Sequence, residues 1–192
     1  MYQLGETFFR QYYRTFLRER WALIVCAVNE QDEIIGFNSG TLKAEEHISA
    51  MKKGAFWLGL AALPAVFRKP RLFFGGLIRF KSLFKSGPEC DFGIREGPRG
   101  DYWAWDPANN NPGGALEVHE KFRQVMRTLG AICLRSEVDA ANSIALRSQL
   151  LLGGRITHRI RTPDGRERCI LEFSLTNPNS KPTQKGFGAD SH

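Results

Sequence analysis

The chain has 192 residues, of which 42% are apolar and 24% charged, with 14 phenylalanines and a net charge of +7. That is one domain's length with enough apolar mass for a core, and it excludes a mostly disordered chain, a collagen-like chain and a disulfide-stapled miniprotein. Nine basic residues between Lys43 and Ser86, against Glu45 and Glu46, carry the whole positive excess. Such a block is either a solvated helical face or an attractor of anions: nucleotide-linked substrates, nucleic acid or an acidic membrane surface.

The first 20 residues lack the basic start, apolar block and small-residue cleavage site of a signal peptide. Residues 6–20 read as a helix instead. Phe8, Tyr12 and Phe16 recur every four residues with Phe9, Tyr13 and Leu17 beside them, and arginines fill the other side. Residues 21–28 and 34–37 are β-rich and flank polar turn material, which predicts a hairpin. Residues 43–86 read as two or three helices punctuated by Pro64, Pro70 and Gly75-Gly76. The apolar run at 55–67 is too short to span a membrane, which takes about 20 residues. A loop over 87–100 follows.

The second half alternates. Residues 101–105 form a short strand ended by Asp106-Pro107. A helix then carries Ala115, Val118, Phe122, Val125, Met126 and Leu129 in one stripe and stops at Gly130. Residues 131–138 are the next strand, 142–152 a short helix closed by Gly153-Gly154, and 156–161 with 168–175 a hairpin around Pro163-Asp164-Gly165. The expectation is one α/β (α+β) domain over 1–176, a mixed, mostly antiparallel sheet flanked by helices, with a helical insert at 43–86 and a disordered tail over 177–192.

Cys26, Cys90, Cys133 and Cys169 are far apart and form no CxxC pair, so they supply no clustered thiolates for a structural zinc site. They read as small buried apolar residues in a reducing, cytoplasmic chain. His119-Glu120 is not a metalloprotease motif, because position 123 is Arg; His119 reads as a surface helix residue, and His47 and His158 have no partners in sequence. No metal is expected. Trp103 and Trp105 are candidates for core on alternate sides of their strand.

The stretch most informative for chemistry is strand, Asp106-Pro107-Ala108-Asn109-Asn110-Asn111-Pro112-Gly113-Gly114-Ala115, helix. A glycine-bearing loop that opens a helix aims free backbone N–H groups and the positive end of the helix dipole at one spot, where a phosphate or diphosphate fits. It is neither a Walker loop nor a GxGxxG turn, and an ordinary loop is the plain alternative.

The stretch resembles the acyl-CoA-binding motif of the GNAT superfamily of N-acyltransferases: an apolar strand end, often Asp-Pro, then Arg/Gln-x-x-Gly-x-Gly/Ala opening a long helix. Here it stands as Trp105-Asp106-Pro107 followed by Asn110-x-x-Gly113-x-Ala115. A second motif of that family, a strand followed by Asn and then Ala three residues on, is matched by Asn142 and Ala145. The likeness covers nearly all of 4–175. The family usually has a strand and a helix ahead of the Phe/Tyr-rich helix and this sequence starts inside that helix, so the expectation is either a sheet without its first strand or a truncated form.

The resemblance implies the GNAT-like acyl-CoA N-acyltransferase fold with acetyl-CoA as co-substrate. The amides around Asn110, Asn111, Gly113, Gly114 and Ala115 would hold its diphosphate. The backbone near Trp105, Asp106 and Pro107 would line the pantetheine arm, and Asn142 would hold that arm or the splay of the second strand. Candidate general bases are Asp101, Asp106 and Glu137, with Tyr102 as a further catalytic candidate. Asn110 stands where the family has Arg or Gln, and Gln149 where it often has an acidic Tyr. The implied activity is transfer of acetyl to a primary amine of a small anionic acceptor by direct attack in a ternary complex. The alternatives are an inactive GNAT-fold protein that binds CoA or a partner, and a peripheral membrane-surface protein using 55–85. Nucleic acid is the less favoured partner, and a homodimer stays open.

Overall fold

A computed structural model describes residues 4–68, 93–109, 111–162 and 165–176. The tail over 177–192, the last part of the 43–86 insert, Cys90, Asn110 and the Pro163-Asp164 turn lie outside the described residues.

Helix α1 (Gly5–Phe16) leads into the hairpin of β1 (Ala22–Val28) and β2 (Ile34–Thr41). Helices α2 (Ala44–Lys53) and α3 (Ala55–Arg68) follow, then β3 (Arg99–Trp105), α4 (Pro112–Thr128), β4 (Cys133–Asp139), α5 (Ser143–Leu151), β5 (Arg155–Arg161) and β6 (Glu167–Ser174). The six strands make one sheet in the order β1-β2-β3-β4-β6-β5. Only β3 and β4 are parallel neighbours. The mixed, mostly antiparallel sheet read from the sequence is the one observed.

Each face of the sheet is covered by helices, and the strand alternation decides which residues meet them. On one face Leu134 and Val138 of β4, with Cys169, Leu171 and Phe173 of β6, pack against Phe122 and Met126 of α4. On the other, Tyr12 and Phe16 of α1 join Met51 of α2 and Leu58 of α3.

Helix ends follow from local chemistry. After α4 and after α5 the chain turns with a glycine at positive φ, Gly130 at 93° and Gly153 at 88°. In both turns the next amide reaches back over the cap, Ala131 N–H to the Met126 carbonyl and Gly154 N–H to the Gln149 carbonyl. That is the Schellman arrangement, and it needs a residue without a Cβ at the turn.

The structure corrects several local readings. Leu17 and Leu129 fall just past their helices and are exposed, at 64% and 54%. Pro64 does not end a helix, because α3 continues through it to Arg68. Its missing N–H would have faced the carbonyl of Leu60, which lies on the exposed side where water can serve. Cys26 is exposed on the edge strand β1, whereas Cys169 is fully buried. The outer face of α3 shows Phe56, Trp57 and Phe67 at 61–80% exposure.

Phe122 is fully buried between the sheet and α4, and it approaches the backbone at Gly40, where an added Cβ would lie 2.7 Å from its ring. Phe122→Ala is expected to cost about 3–5 kcal/mol, read as a lower urea midpoint with an unchanged m-value.

Candidate active site

The site begins with a break in the sheet. The β3–β4 ladder holds two pairs only, Arg99 with Arg135 and Gly100 with Ser136. Beyond them β3 stays paired to β2 and β4 to β6, so the two strands part and leave a wedge. A bulge on β3 accompanies the parting. Gly40 pairs with Gly100 and Ser39 with Tyr102, which leaves Asp101 as the extra residue. An extra residue sharpens the local twist and bends the strand, turning β3 away from β4. The bulge requires glycine at position 40, where a Cβ would sit 2.3 Å from the Arg99 carbonyl oxygen.

On the face of α1, α2 and α3 the wedge opens into a cavity of about 260 Å³. Tyr12, His47, Leu58, Asp101, Tyr102 and Glu137 are among its walls. Buried Arg99 pairs with Asp101, its Nη2 2.7 Å from Oδ1. That bond leaves Asp101 Oδ2 buried with no hydrogen-bond partner among the described residues. Glu137 Oε1 accepts from the amides of Gly93 (2.7 Å) and Ile94 (3.0 Å), while Oε2 accepts from Arg168 Nη1 at 2.9 Å. The Tyr102 ring stands edge-on to Phe9, Tyr12 and Tyr13.

The cavity also contains an arrangement with no signal in sequence. His47, on α2, is 1% exposed. Its Nδ1 lies 2.9 Å from Glu19 Oε1 and its Nε2 lies 3.4 Å from the Tyr12 hydroxyl. Burial, then the charge of Asp101, drives the Tyr12 phenol well above its usual pKa.

On the α4 and α5 face, His119 lies between Trp103 of β3 and Phe173 of β6, its ring centroid 4.9 Å and 5.3 Å from theirs. It is 3% exposed, not a surface residue. Asn38 Nδ2 donates to Nδ1 at 2.8 Å, so the imidazole carries its proton on Nε2. That Nε2 and the Arg123 Nε, one helical turn on, are buried donors without a hydrogen-bond partner among the described residues. Burial, reinforced by the Arg123 charge, pushes the His119 pKa down to about 4.

At the mouth of α4, Asn111 Oδ1 accepts from the Gly114 amide at 3.0 Å, and the Asn111 amide bonds the Asn109 carbonyl at 2.8 Å. Pro112 has no N–H. The helix therefore caps part of its own N-terminus, and the amides expected to stand free are partly engaged. Trp105 packs on Gly114, where a Cβ would lie 2.5 Å from its ring, and donates to the Asn109 carbonyl. Trp103 donates to the Ala115 carbonyl. Both tryptophans thus face α4, since residues two apart on a strand share a side. Asp106 accepts from the Ala108 amide, and Pro107 is exposed. Asn142 caps α5 by accepting from the Ala145 amide. Gln149 is 8% exposed and accepts from the Ser136 hydroxyl at 2.5 Å, at the point where the strands part.

Comparison with solved structures identifies the fold. A protein named SsHAT superposes with a TM-score of 0.55 at 15% identity, over 85% of this chain and 78% of its own. A proposed acetyltransferase of the GNAT family from Desulfovibrio desulfuricans gives 0.53 at 10% identity, over 87% and 79%. A proposed acetyltransferase from Acinetobacter baylyi gives 0.51 at 11%, over 90% and 73%. The chain has the GNAT fold. Protein-family models and curated proteins give no match to the sequence.

Within this GNAT fold the sequence-derived candidates divide by face. Glu137 and Tyr102 line the cavity under α1–α3, while Trp105, Asn111, Gly113, Gly114 and Ala115 gather at the mouth of α4. Asp106 and Pro107 follow β3 in the loop to that mouth, and Asn142 sits at the start of α5. The sequence reading missed His47 and His119. For His119 the stripe itself was a signal, since it lies next to Val118 and three before Phe122, on the helix face that the core covers.

The low pKa of His119 makes stability depend on pH. The folded state holds this imidazole neutral, so nothing is lost above its unfolded value of 6.5. As the pH falls from 6.5 through 4 the unfolded chain gains a proton that the folded one refuses, and stability falls by about 3 kcal/mol in all. Subtracting the urea-stability profile of His119→Gln from that of the native chain, between pH 4 and 7.5, is expected to isolate this slope.

Proposed function

We propose that this protein transfers an acetyl group from acetyl-CoA to a primary amine of a small acceptor, by direct attack while both are bound. The observation that carries the reading is the two-pair β3–β4 ladder, since parallel strands that part leave the peptide groups of β3 beyond Gly100 outside any ladder with β4. Those groups suit the amides of a pantetheine arm, and a donor among them suits the thioester oxygen, on which negative charge grows as the amine attacks.

His119 Nε2 and Arg123 Nε support the same placement. They are buried donors on the α4 side, and an acceptor group of the arm would satisfy them. The diphosphate would lie at the mouth of α4, where the helix dipole favours it. The Asn111 side chain now on the Gly114 amide would swing away to admit it. Trp105, Asp106 and Pro107 would line the arm's path, and Asn142 would set the start of α5 beside it.

The acceptor would enter from the opposite face. Asp101 Oδ2 lies there with a free lone pair, suited to an N–H of the attacking amine. Arg166 and Arg168 on the same wall suit an anionic group elsewhere on the acceptor. Tyr102 would shape the floor. Glu137, whose oxygens already accept from two amides and Arg168, would hold that wall rather than take the proton.

Calorimetric titration with acetyl-CoA and a thiol-release assay with a panel of primary amines test the reading. Binding and amine-dependent thiol release are expected. Gly114→Val, which drives a side chain into Trp105, is expected to weaken acetyl-CoA at least tenfold. Binding without release points to an inactive GNAT-fold binder, and no binding ends the proposal.

The exposed aromatic face of α3 favours a second, compatible reading, contact with an anionic membrane surface. Trp57 there borders a groove with Arg14 of α1 and Arg18 just after that helix. No helix among the described residues is long and apolar enough to cross a membrane. Flotation with phosphatidylserine vesicles at low salt is expected, with loss on Trp57→Ser. Failure to float removes this reading.

A further inference from the structure

We propose that Tyr12, His47 and Glu19 form a proton relay that drains the attacking amine. The inference rests on the acetyl-transfer reading and adds to it the residues that take the proton. The three side chains come from α1, from the turn after it and from α2, so nothing in the linear sequence joins them.

The geometry sets the direction of the relay. Glu19 Oε1, a carboxylate oxygen, can only accept, so His47 carries its proton on Nδ1 and donates it across 2.9 Å. His47 Nε2 then has its lone pair free, and the Tyr12 hydroxyl donates toward it across 3.4 Å. That hydroxyl keeps two lone pairs of its own. Tyr12 lines the cavity that also holds Asp101, whose unpartnered oxygen would hold the amine nearby. A loose donor–acceptor distance of this kind is common in catalytic chains before substrate binds.

The bookkeeping closes on these residues alone. As the amine nitrogen bonds the thioester carbon, one N–H bond breaks and its proton goes to the Tyr12 oxygen. The Tyr12 proton passes to His47 Nε2, and the resulting imidazolium sits against the Glu19 carboxylate. The chain needs no phenolate, in keeping with burial and the Asp101 charge, which both oppose one at Tyr12. The proton later returns by the same path to solvent or to the departing thiolate. The ionisable groups facing His47 and Tyr12 include Glu19 after α1, Tyr13 on α1 and, across the cavity on β3, Asp101, Arg99 and Tyr102.

Burial argues against a purely structural role. His47 is 1% exposed and the Glu19 side chain 10%, and Glu19 Oε2 is left with no hydrogen-bond partner among the described residues. A carboxylate held this way costs stability, and an apolar pair of similar size would pack without that cost. Its position against a ring nitrogen, at a cavity wall, fits a group that must bear charge part of the time.

The test measures kcat, KM and acetyl-CoA affinity from pH 5 to 9 for the native chain, Tyr12→Phe, His47→Gln and Glu19→Gln. Tyr12→Phe and His47→Gln are expected to lower kcat about 100-fold or more, with acetyl-CoA affinity unchanged. The acidic limb of the kcat profile is expected to vanish in His47→Gln and to move to lower pH in Glu19→Gln. Tyr12→Phe removes one oxygen and keeps the ring, so it decides the matter should His47→Gln fail to fold. A native chain that turns over, with Tyr12→Phe within threefold of it or an acidic limb surviving in His47→Gln, overturns the relay and leaves the transferase standing. A native chain that neither binds acetyl-CoA nor releases thiol overturns both.

Discussion

Two neighbouring parallel strands that pair at Arg99 and Gly100 and then separate create a demand that the rest of the molecule meets. Unpaired backbone in a sheet interior is costly unless something replaces the lost partners. The chain does not zip the wedge shut, because each strand is held from outside. β3 is bent by the Asp101 bulge and anchored to β2 on its far side, while β4 is carried off by a seven-residue ladder with β6. The Ser136–Gln149 hydrogen bond ties β4 to α5 at the parting point, and Glu137 fastens the opposite face to the Gly93–Ile94 backbone. Glycine at position 40 makes the bulge possible, since any Cβ there meets the Arg99 carbonyl.

Several chemically unusual groups collect near this wedge. Buried polar atoms without partners are rare in folded proteins, yet Asp101 Oδ2 lines its cavity, and His119 Nε2, with Arg123 Nε one helical turn on, belongs to a ring packed on Trp103 of β3. They divide by kind. The donors are on the α4 side and the carboxylate is on the α1–α3 side, so one face suits a ligand rich in carbonyl groups and the other an amine. The helices of the basic insert contribute to the second face through His47, Met51 and Leu58, which ties that segment to the cavity as well as to surface charge.

The elements were legible because period and punctuation are local. Phe8, Tyr12 and Phe16 face inward at helical spacing, and Gly130 and Gly153 stop their helices by conformational freedom that other residues lack. Readings that depended on neighbours were less secure. Pro64 continues a helix because the carbonyl it abandons faces outward, Cys26 is exposed because β1 is an edge, and Leu17 and Leu129 fall one position past their helices. The Gly114 amide looked free from sequence, but Asn111 folds back onto it. Asx side chains do this readily at helix starts, and Asn111 is placed for it.

The order of helices and strands, the mixed sheet and the glycine-led mouth of α4 follow from the sequence alone, because hydrophobic period, turn residues and caps act over a few positions. The parting of β3 from β4, the burial of His119 and the meeting of Tyr12, His47 and Glu19 were decided only in three dimensions. They join residues up to 81 positions apart, as with Asn38 and His119, through contacts that exist only once the sheet has assembled. A strand's pairing partner, and the depth at which a polar side chain comes to rest, are set by packing across the whole core, which no short stretch of chain encodes.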